Sequence, residues 1–391
     1  METRITNYIK SHLAGDYQIW FIVFLLNTFG LLIQFSAKGK LNMSGPFDPI
    51  TNMLKSMVIL GLSFFLMSWF SRQNYIKMTQ FSHVALIFSW ILIGIALKFG
   101  ESKGGASRWI ELGPISFMPS DMAKLCLTAS LAKDFSTRQA DQSSYNWVMF
   151  FWLLFKIGMT CFLIMLSNFS TSILIFGTSI VLMFFGRVPI MQIVYIVSAV
   201  FMLAVGVVFF EVGQRAKTVK SRIANFNSRI NEKESKQLNK KGDDYQLYRS
   251  WYAIATGALT PKGPGKSQQR YFLSQAESDF IYAIILEEYG IIIGLFIPIL
   301  FLWFMYRGAS VIRFSVKPLG GLLSAGLTFS IVLQAFINML VSVGAGPVTG
   351  QPMPMISSGG TSLIFTAISI GLILSVSRDR EMVAKDLKPV I

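Results

Sequence analysis

The sequence predicts an all-α fold: a polytopic membrane bundle of ten transmembrane helices, with one long extracytoplasmic loop between helices 7 and 8. Three observations lead to this fold class. The composition is 53% hydrophobic and only 14% charged over 391 residues, which is typical of polytopic membrane proteins. Apolar runs long enough to cross about 30 Å of hydrocarbon recur along the chain. The basic residues between these runs are distributed unequally, as expected for the two sides of a membrane.

The predicted spans are nine apolar runs and one more polar helix. The apolar runs lie near 18–37, 52–70, 83–99, 147–166, 170–187, 189–211, 280–306, 320–344 and 360–377. The first exceeds the length of a cleaved signal peptide and lacks a small-residue cleavage site, so we interpret it as a signal anchor. The more polar helix, 119–135, begins with Pro119, which suits a first helical turn. Ser120 and Asp121 then lie among that turn's free N–H groups.

Basic residues orient the predicted bundle with both termini in the cytoplasm. In this orientation the cytoplasmic segments hold 14 Lys and Arg residues and the short outer loops hold four. The loop 212–278 carries 13 basic and five acidic residues, but long loops escape this rule. We expect two interfacial helices in it, at 213–226 and 245–259, separated by a solvated charge run. The chain 1–391 is then one transmembrane domain, and 378–391 is a cytoplasmic tail.

Charge and cysteine content narrow the functional classes. The net charge of +15 suits anionic lipid or a phosphate-bearing substrate. We expect no nucleic-acid partner, because membrane spans divide the basic residues among separate loops. Two cysteines and two histidines indicate neither a disulfide framework nor a Cys/His metal cluster.

Asp279 is the predicted catalytic residue. It lies where the long basic loop ends and an apolar run begins, and ionisable groups at membrane depth are functional candidates by default. The alternative is a helix N-cap, in which Asp accepts the free N–H groups of a first turn. Both interpretations remain open from the sequence.

Two further acids follow Asp279 within the same run. On a continuous helix Glu287 and Glu288 lie near 80° and 180° from Asp279 around the axis. Glu287 is therefore a candidate for substrate binding or for a structural role. Glu288 is expected to bond another helix, near Lys156 or Lys55.

Asp121 and Lys124 are predicted to share one face of the helix at 119–135, because they are three residues apart. Opposite charges in an apolar helix should point into the bundle and pair, either with each other or with Asp279. A purely structural ion pair is the alternative. Arg108, just upstream, is a candidate phosphate clamp because its guanidinium binds such oxygens in a bidentate manner.

Two glycine-rich segments complete the candidate site. GPGKS at 263–267 lacks the preceding glycine and strand of a nucleotide-binding loop, but Lys266 and Ser267 in such a turn could face a diphosphate. The loop 344–362 has five glycines, three prolines and no charge, so it must lie outside the membrane or line a cavity. Asn338 and Gln334 add a polar face before it, and we interpret the loop as a rigid wall of a substrate groove.

Three blocks of the chain resemble the SEDS family of membrane glycosyltransferases, which includes RodA, FtsW and SpoVE. They are GASRWIELGPISFMPSDMAKL (105–125), GPGKSQQRYFLSQAESDFIYAIILEEYG (263–290) and NMLVSVGAGPVTGQPMPMISSGGTSL (338–363). The resemblance covers nearly the whole chain and is strongest to the FtsW branch, of a Bacteroidetes-type lineage. Departures include Ser167-Asn168-Phe169-Ser170, where the family commonly has Pro-Asp-Leu-Gly.

The resemblance implies polymerisation of lipid II into glycan strands at the outer face of the cytoplasmic membrane, for septal synthesis in cell division. For that activity Asp279 is the candidate general base, and the candidate substrate-binding residues are Arg108, Asp121, Lys124, Arg222, Lys266, Ser267, Glu287, Asn338 and Ser357. The resemblance also implies a class B penicillin-binding transpeptidase and other divisome or elongasome membrane proteins as partners. A divalent cation, Mg²⁺ or Mn²⁺, near Asp279 is left open as a cofactor. The alternatives are a lipid II flippase, a RodA-type elongation polymerase and a non-catalytic scaffold.

Overall fold

The computed structural model describes residues 14–38, 48–102, 107–112, 115–141, 146–210, 243–273, 276–358 and 360–386, and this part of the chain is predominantly helical. Its helices are α1 Tyr17–Lys38, α2 Asp48–Arg72, α3 Tyr75–Gln80, α4 Ser82–Phe99, α5 Pro119–Asp141, α6 Trp147–Met165, α7 Phe169–Phe185, α8 Ile190–Phe209, α9 Asp243–Gly257, α10 Ile281–Arg313, α11 Pro318–Ser342 and α12 Thr361–Asp386. Three short strands, β1 Glu101–Ser102, β2 Ser107–Leu112 and β3 Ile115–Phe117, lie between α4 and α5.

The predicted spans coincide with long helices in the structure. Eight of the described helices (α1, α2, α4, α6, α8, α10, α11 and α12) are long and apolar enough to cross a membrane. The chain is therefore an integral membrane protein. The helix α7 is apolar but shorter, and α5 is the polar helix predicted at 119–135. The ten-span arrangement with one long loop stays a prediction.

Side-chain caps explain why two of these helices begin where they do. The side chain of Asn146 accepts a hydrogen bond from Met149 N at the start of α6. The side chain of Asn168 does the same for Thr171 N at the start of α7. Each satisfies an N–H group that has no partner within the helix, and asparagine is among the best residues at this position. Pro318 occupies the first turn of α11, where its missing N–H has no cost.

The centre of the bundle is formed by α5 and α11, although α5 is the most polar of the long helices. One face of α5 is fully buried through Ala123, Leu127, Leu131 and Phe135. It packs against α4 and α11. At Gly326 of α11, an added Cβ would lie 2.6 Å from the side chain of Thr128, so the small residue allows the two helices to approach closely.

The strands are an element that the sequence analysis did not predict. They form a small antiparallel sheet in the order β1-β2-β3, with Glu101 paired to Trp109 and Ile110 paired to Phe117. Strand pairing satisfies the backbone of this segment without a helix. The sheet holds Arg108 in β2, immediately before α5.

Contacts between distant parts of the chain assign the helix ends to two opposite ends of the bundle. At one end, Arg307 near the end of α10 forms an ion pair with Asp16, just before α1. Asp16 N donates a hydrogen bond to Ser377 Oγ of α12. Arg378 donates to the backbone carbonyl of Arg72, at the end of α2. This is the end at which the described N- and C-terminal segments meet. We refer to the opposite end, which holds Asp279, as the site end.

The helix α9, Asp243–Gly257, overlaps the predicted interfacial segment 245–259, and it docks on the bundle. Ser250 Oγ donates to Ser342 O at 2.6 Å, and Trp251 Nε1 donates to Val343 O at 3.0 Å. These bonds satisfy carbonyls at the C-terminus of α11, which have no partner within that helix. The other predicted interfacial helix, 213–226, lies outside the described residues.

Helix α10 bends at Gly290, which has φ 79° and ψ −179° within an otherwise helical segment. A left-handed φ is accessible to glycine without a steric penalty. A Cβ at this position would also lie 2.6 Å from the ring of Pro261. The bend frees backbone groups of α10, and the segment 258–263 pairs with them: Lys262 N donates to Glu287 O at 3.1 Å, Gly263 N to Glu288 O at 3.0 Å and Ile291 N to Ala258 O at 2.8 Å.

Candidate functional site

Asp279 lies in the turn 276–280 that precedes α10, and its side chain is 8% exposed. Ser278 Oγ donates a hydrogen bond to Asp279 Oδ1 at 2.8 Å. The N-cap position of α10 is occupied by Phe280. The alternative that Asp279 is the helix N-cap is therefore wrong, because the helix begins one residue too late for it.

The second carboxylate oxygen of Asp279 faces a space beside Gly350. A Cβ built on Gly350 would lie 3.5 Å from Asp279 Oδ2 and 4.0 Å from a terminal nitrogen of Arg108. The carboxylate and the guanidinium thus approach the same point, from the turn before α10 and from strand β2. Gly350 has φ +67°, and because it has no side chain, no Cβ occupies this point beside the two charged groups.

The segment that follows Gly350 is fastened to the turn of Asp279. Asn338 Nδ2 donates to Gln351 O at 2.7 Å and to Asp279 O at 3.1 Å. Ser357 Oγ donates to Ser278 O at 2.8 Å and accepts from Met353 N at 2.8 Å. These bonds support the expectation of a rigid wall, because they hold the glycine- and proline-rich segment against the base of α10.

Asp121 and Lys124 pair as one of the sequence alternatives predicts, with 3.8 Å between Asp121 Oδ1 and Lys124 Nζ. The shorter contact of Lys124 is to Gln334 Oε1, at 2.7 Å. Gln334 Nε2 in turn donates to Pro352 O at 2.9 Å. The ammonium group of α5 is therefore connected through α11 to the segment beside Gly350.

Two buried acceptor atoms in this region have no hydrogen-bond donor among the described residues. They are Asp121 Oδ2 and Asn338 Oδ1. Buried polar atoms are rarely left without a partner in native proteins. Acceptors of this kind are suited to hydroxyl groups, which a sugar supplies in number.

The residues around Asp279 come from helix ends that meet at the site end of the bundle. Asp121 begins α5, Asn338 lies near the end of α11, and Ser357 precedes α12. Thr171 at the start of α7 accepts a hydrogen bond from Gln351 Nε2. Thr361 at the start of α12 accepts from Met118 N, just before α5, at 3.1 Å.

Lys266, Ser267 and Glu287 form a second group with a different organisation. Glu287 is fully buried, and its Oε1 lies 2.5 Å from Lys262 Nζ. Its other oxygen accepts from Ser267 Oγ and from Gln269 N. Lys266 is exposed on the same segment. The structure therefore gives Glu287 the structural role that was one of the two alternatives, because its carboxylate is engaged in holding the segment 262–269.

Glu288 bonds another helix, as predicted, but the proposed partner Lys156 is wrong, and Lys55, the other residue proposed, is not among the partners described for Glu288. Glu288 accepts from Ser36 Oγ of α1 and from Ser267 N at 3.0 Å. Lys156 instead forms an ion pair with Asp134, at 2.6 Å. The segment 262–269 supplies the other donors to this carboxylate, from Gly265 N at 3.1 Å as well as from Ser267 N.

Arg222 lies outside the described residues. A metal ion was left open at Asp279, but the described residues around it do not fit a resident metal ion. They contain no group of three or more His, Cys, Asp or Glu side chains in range of one another. The guanidinium of Arg108 also approaches the space beside Asp279 Oδ2, so positive charge is already supplied there by the protein.

Sequence reasoning missed Gly350 and the hydrogen bond between Gln351 and Thr171. Both lie in stretches that the sequence analysis considered, the loop 344–362 and the variant Ser167–Ser170 region. The available signal was the glycine-rich, uncharged loop itself. The positive φ angles of Gly344, Gly350 and Gly360 in that loop are not visible without coordinates.

Comparison with known proteins gives one consistent result. The family model for the FtsW, RodA and SpoVE proteins, described as cell cycle protein, matches residues 16–382. Stage V sporulation protein E of Bacillus subtilis strain 168 is 28% identical over 370 residues, which is 93% of this chain and 97% of the relative. The probable peptidoglycan glycosyltransferase FtsW of the same strain is 30% identical over 376 residues, 93% of this chain and 90% of that protein.

The fold is also similar to a chain solved in a peptidoglycan synthase complex that coordinates polymerization and crosslinking. The TM-score is 0.73 at 21% sequence identity, and the match covers 94% of this chain and 99% of the other. At this identity the similarity concerns the fold.

Proposed function

The chain belongs to the FtsW, RodA and SpoVE family of membrane proteins, also called SEDS, and from that premise we propose that it is a peptidoglycan glycosyltransferase. It polymerises lipid II into glycan strands at the outer face of the cytoplasmic membrane, for septal synthesis in cell division. Curated relatives are named probable peptidoglycan glycosyltransferase FtsW. Asp279 is the general base. The observation that carries this assignment is that a Cβ built on Gly350 would lie 3.5 Å from Asp279 Oδ2 and 4.0 Å from a terminal nitrogen of Arg108, so the two charged groups approach one point.

The reaction requires a base and a stabilised leaving group. The 4-hydroxyl of one lipid-linked sugar attacks the anomeric carbon of the growing strand, and its proton passes to the carboxylate of Asp279. The bond from that carbon to the diphosphate oxygen breaks, and undecaprenyl diphosphate leaves with the bonding electrons. A single displacement inverts the anomeric centre. One positioned base contributes about 10²–10⁴-fold to such a rate.

Cations around the space supply the charge that the diphosphate needs. Arg108, which approaches the same point beside Gly350 as Asp279 does, binds phosphate oxygens through its planar fork. Lys124 lies deeper, near the buried start of α5. Lys266, exposed on its loop, and Arg222 are proposed to contact the diphosphate from the extracytoplasmic side. Electrostatic stabilisation of this kind is commonly the largest single contribution to catalysis.

Neutral and acidic side chains bind the sugars. The acceptor atoms Asp121 Oδ2 and Asn338 Oδ1, which lack donors among the described residues, are proposed to receive sugar hydroxyl groups. Ser357 positions the turn of Asp279 through Ser278. Ser267 and Glu287 act indirectly by holding the loop that carries Lys266.

The proposed topology follows from the same arrangement. Ten spans place both termini in the cytoplasm and the site end at the outer face of the inner membrane, with 212–278 as the extracytoplasmic loop and 378–391 as a cytoplasmic tail. The position of Asp279 at the end of the bundle away from Asp16 and Arg378 supports this orientation. The family's cell cycle description supports a location at the division septum.

The proposed partner is a class B penicillin-binding transpeptidase, together with other divisome or elongasome membrane proteins. Polymer strands need crosslinking, and the chain of similar fold was solved in a complex that coordinates polymerization with crosslinking. Two alternatives remain under the same fold: the RodA-type elongation polymerase, and a lipid II flippase.

The experiment is polymer formation from lipid II by the purified chain, with and without its transpeptidase partner. Asp279→Asn should lower the rate by about 10²–10⁴-fold. Glu277→Gln is the matched control, because this acid lies two residues away and its backbone carbonyl, which accepts from Ser358 N, is unchanged. Equal polymer from Asp279→Asn would remove Asp279 as the base. Transbilayer movement of lipid II without polymer would favour the flippase.

A further inference from the structure

Gln334 connects two parts of the site that come from different helices. It lies in α11, is 2% exposed and uses both ends of its amide. Its Oε1 accepts from Lys124 Nζ at 2.7 Å, and its Nε2 donates to Pro352 O at 2.9 Å. An amide offers one acceptor and one donor group, so these two partners fix its orientation.

The segment reached by Gln334 is the one that borders the reacting space. Pro352 follows Gln351 and Gly350, and Gly350 lies beside Asp279 Oδ2. Gln351 is held on both sides, by Asn338 Nδ2 at its carbonyl and by Thr171 at its side chain. The three consecutive residues Gly350–Pro352 are thus fastened by side chains of α7 and α11, and through Gln334 to Lys124 of α5.

Among the described side chains that bond to Gly350–Pro352, Gln334 is the one that also binds a charged side-chain group, the ammonium of Lys124. Lys124 lies 3.8 Å from Asp121 but 2.7 Å from Gln334, so the amide sets where the ammonium group points. A displacement of Gly350 would change the point that Asp279 Oδ2 and Arg108 both approach. Misplacement of about 1 Å can cost about 10²-fold in rate.

We propose that Gln334 is a positioning residue, which holds the Lys124 ammonium group and the Gly350–Pro352 segment in register around the Asp279–Arg108 space. This inference rests on the proposed function for its effect on rate, but the clamp itself is a structural claim. Gln334 contacts neither Asp279 nor Arg108 in the described bonds, so it acts through the residues that it holds.

Two substitutions separate the parts of the clamp. Gln334→Met is close in size and removes both hydrogen bonds. Gln334→Glu keeps an acceptor for Lys124 but, when ionised, has no donor for Pro352 O. A protonated glutamic acid has both a donor and an acceptor, so it reproduces the pattern of the amide. Asn27→Leu is the control, because Asn27 is a buried amide whose donor bonds within its own helix, to Val23 O at 2.9 Å.

The test measures lipid II polymerisation and amide hydrogen exchange over 350–358 on the same purified full-length variants. Gln334→Met should lower kcat by about 10²-fold with little change in KM, and exchange at Met353 and Ser357 should become faster. For Gln334→Glu, the rate relative to wild type should rise as the pH falls. Asn27→Leu should match wild type in both measurements.

Each outcome decides the proposal. Wild-type exchange and kcat in Gln334→Met would overturn it, and so would a pH-independent rate ratio in Gln334→Glu. If Gln334→Met does not fold, Gln334→Glu decides alone. If the wild-type chain forms no polymer, the proposed function fails, and the exchange measurement still decides whether Gln334 holds the segment.

Discussion

Replacing Gly350 by alanine should remove activity while leaving the protein folded. The new methyl group would lie 3.5 Å from Asp279 Oδ2 and 4.0 Å from Arg108. These are ordinary van der Waals contacts, so no severe clash follows. The cost to folding comes from the backbone, because φ is +67° and a residue with a Cβ pays about 1–2 kcal/mol in the left-handed region.

The effect on rate should be larger, because the methyl group would fill the point that both the base and the cation approach. Reacting atoms must approach to about 3–3.5 Å, and a displacement of about 1 Å costs about 10²-fold. That factor corresponds to about 2.7 kcal/mol of transition-state stabilisation. We therefore expect Gly350→Ala to polymerise lipid II at about one hundredth of the wild-type rate, with a melting temperature reduced by only a few degrees.

The matched control is Gly346→Ala in the same loop. No heavy atom lies within 4 Å of a Cβ at Gly346, so this variant should retain the wild-type rate and melting temperature. The measurements are glycan-strand formation from lipid II and thermal unfolding in detergent. Wild-type activity in Gly350→Ala, or an equal loss in Gly346→Ala, would refute the assignment of this space as the reacting centre.

Two further predictions concern stability. Glu287→Gln removes the buried charge that pairs with Lys262 Nζ at 2.5 Å. The free energy of unfolding should fall by about 3–5 kcal/mol, and proteolysis within 258–270 should become faster. An unchanged melting temperature would contradict this structural role of Glu287. Burial and the neighbouring carboxylate of Asp379 raise the pKa of Tyr75 from 10.0 to about 12. The stabilisation from Tyr75 is therefore complete below pH 10 and is lost between pH 10 and 12. Tyr75→Phe should lose about 1–2 kcal/mol at pH 8 and should unfold with less pH dependence in that window; melting curves that keep the wild-type pH dependence would argue against it.

The long helices could be predicted from the sequence because bilayer thickness sets their length. The apolar runs near 147–166 and 189–211 end within a few residues of α6 and α8. The polar helix α5 was found for another reason: Pro119 and Asp121 together indicate a helix start. The length of the apolar runs therefore predicted the apolar helices, and capping chemistry predicted the polar helix α5.

The strands at 101–117 and the orientation of Glu287 could not be predicted in the same way. Short strands have few residues over which a pattern can repeat, and β1 has only two. The angle between Glu287 and Asp279 was derived for a continuous helix, but α10 starts at Ile281, after Asp279. The bend at Gly290 was not predicted either. A backbone bend stabilised by a distant loop depends on tertiary contacts, which local patterns do not record.

The sequence predicted which residues belong to the site better than it predicted the hydrogen bonds between them. Asp279, Arg108 and Asn338 were expected near one another, and the structure brings them to the same segment. Gln334 was noted only as part of a polar face. Its role depends on which atoms its amide reaches, and a spacing of four residues does not supply that information.

The bend at Gly290 means that α10 is not an autonomous helix. The segment from Ala258 to Gly263 supplies the hydrogen bonds that the helix lacks there, so each is incomplete without the other. A chimera or a loop replacement that exchanges one of them alone should leave backbone groups without partners at membrane depth. The segment and the helix should therefore be exchanged together. In a chimera of this protein, the junction should lie before Ala258 and not between Gly263 and Ile281.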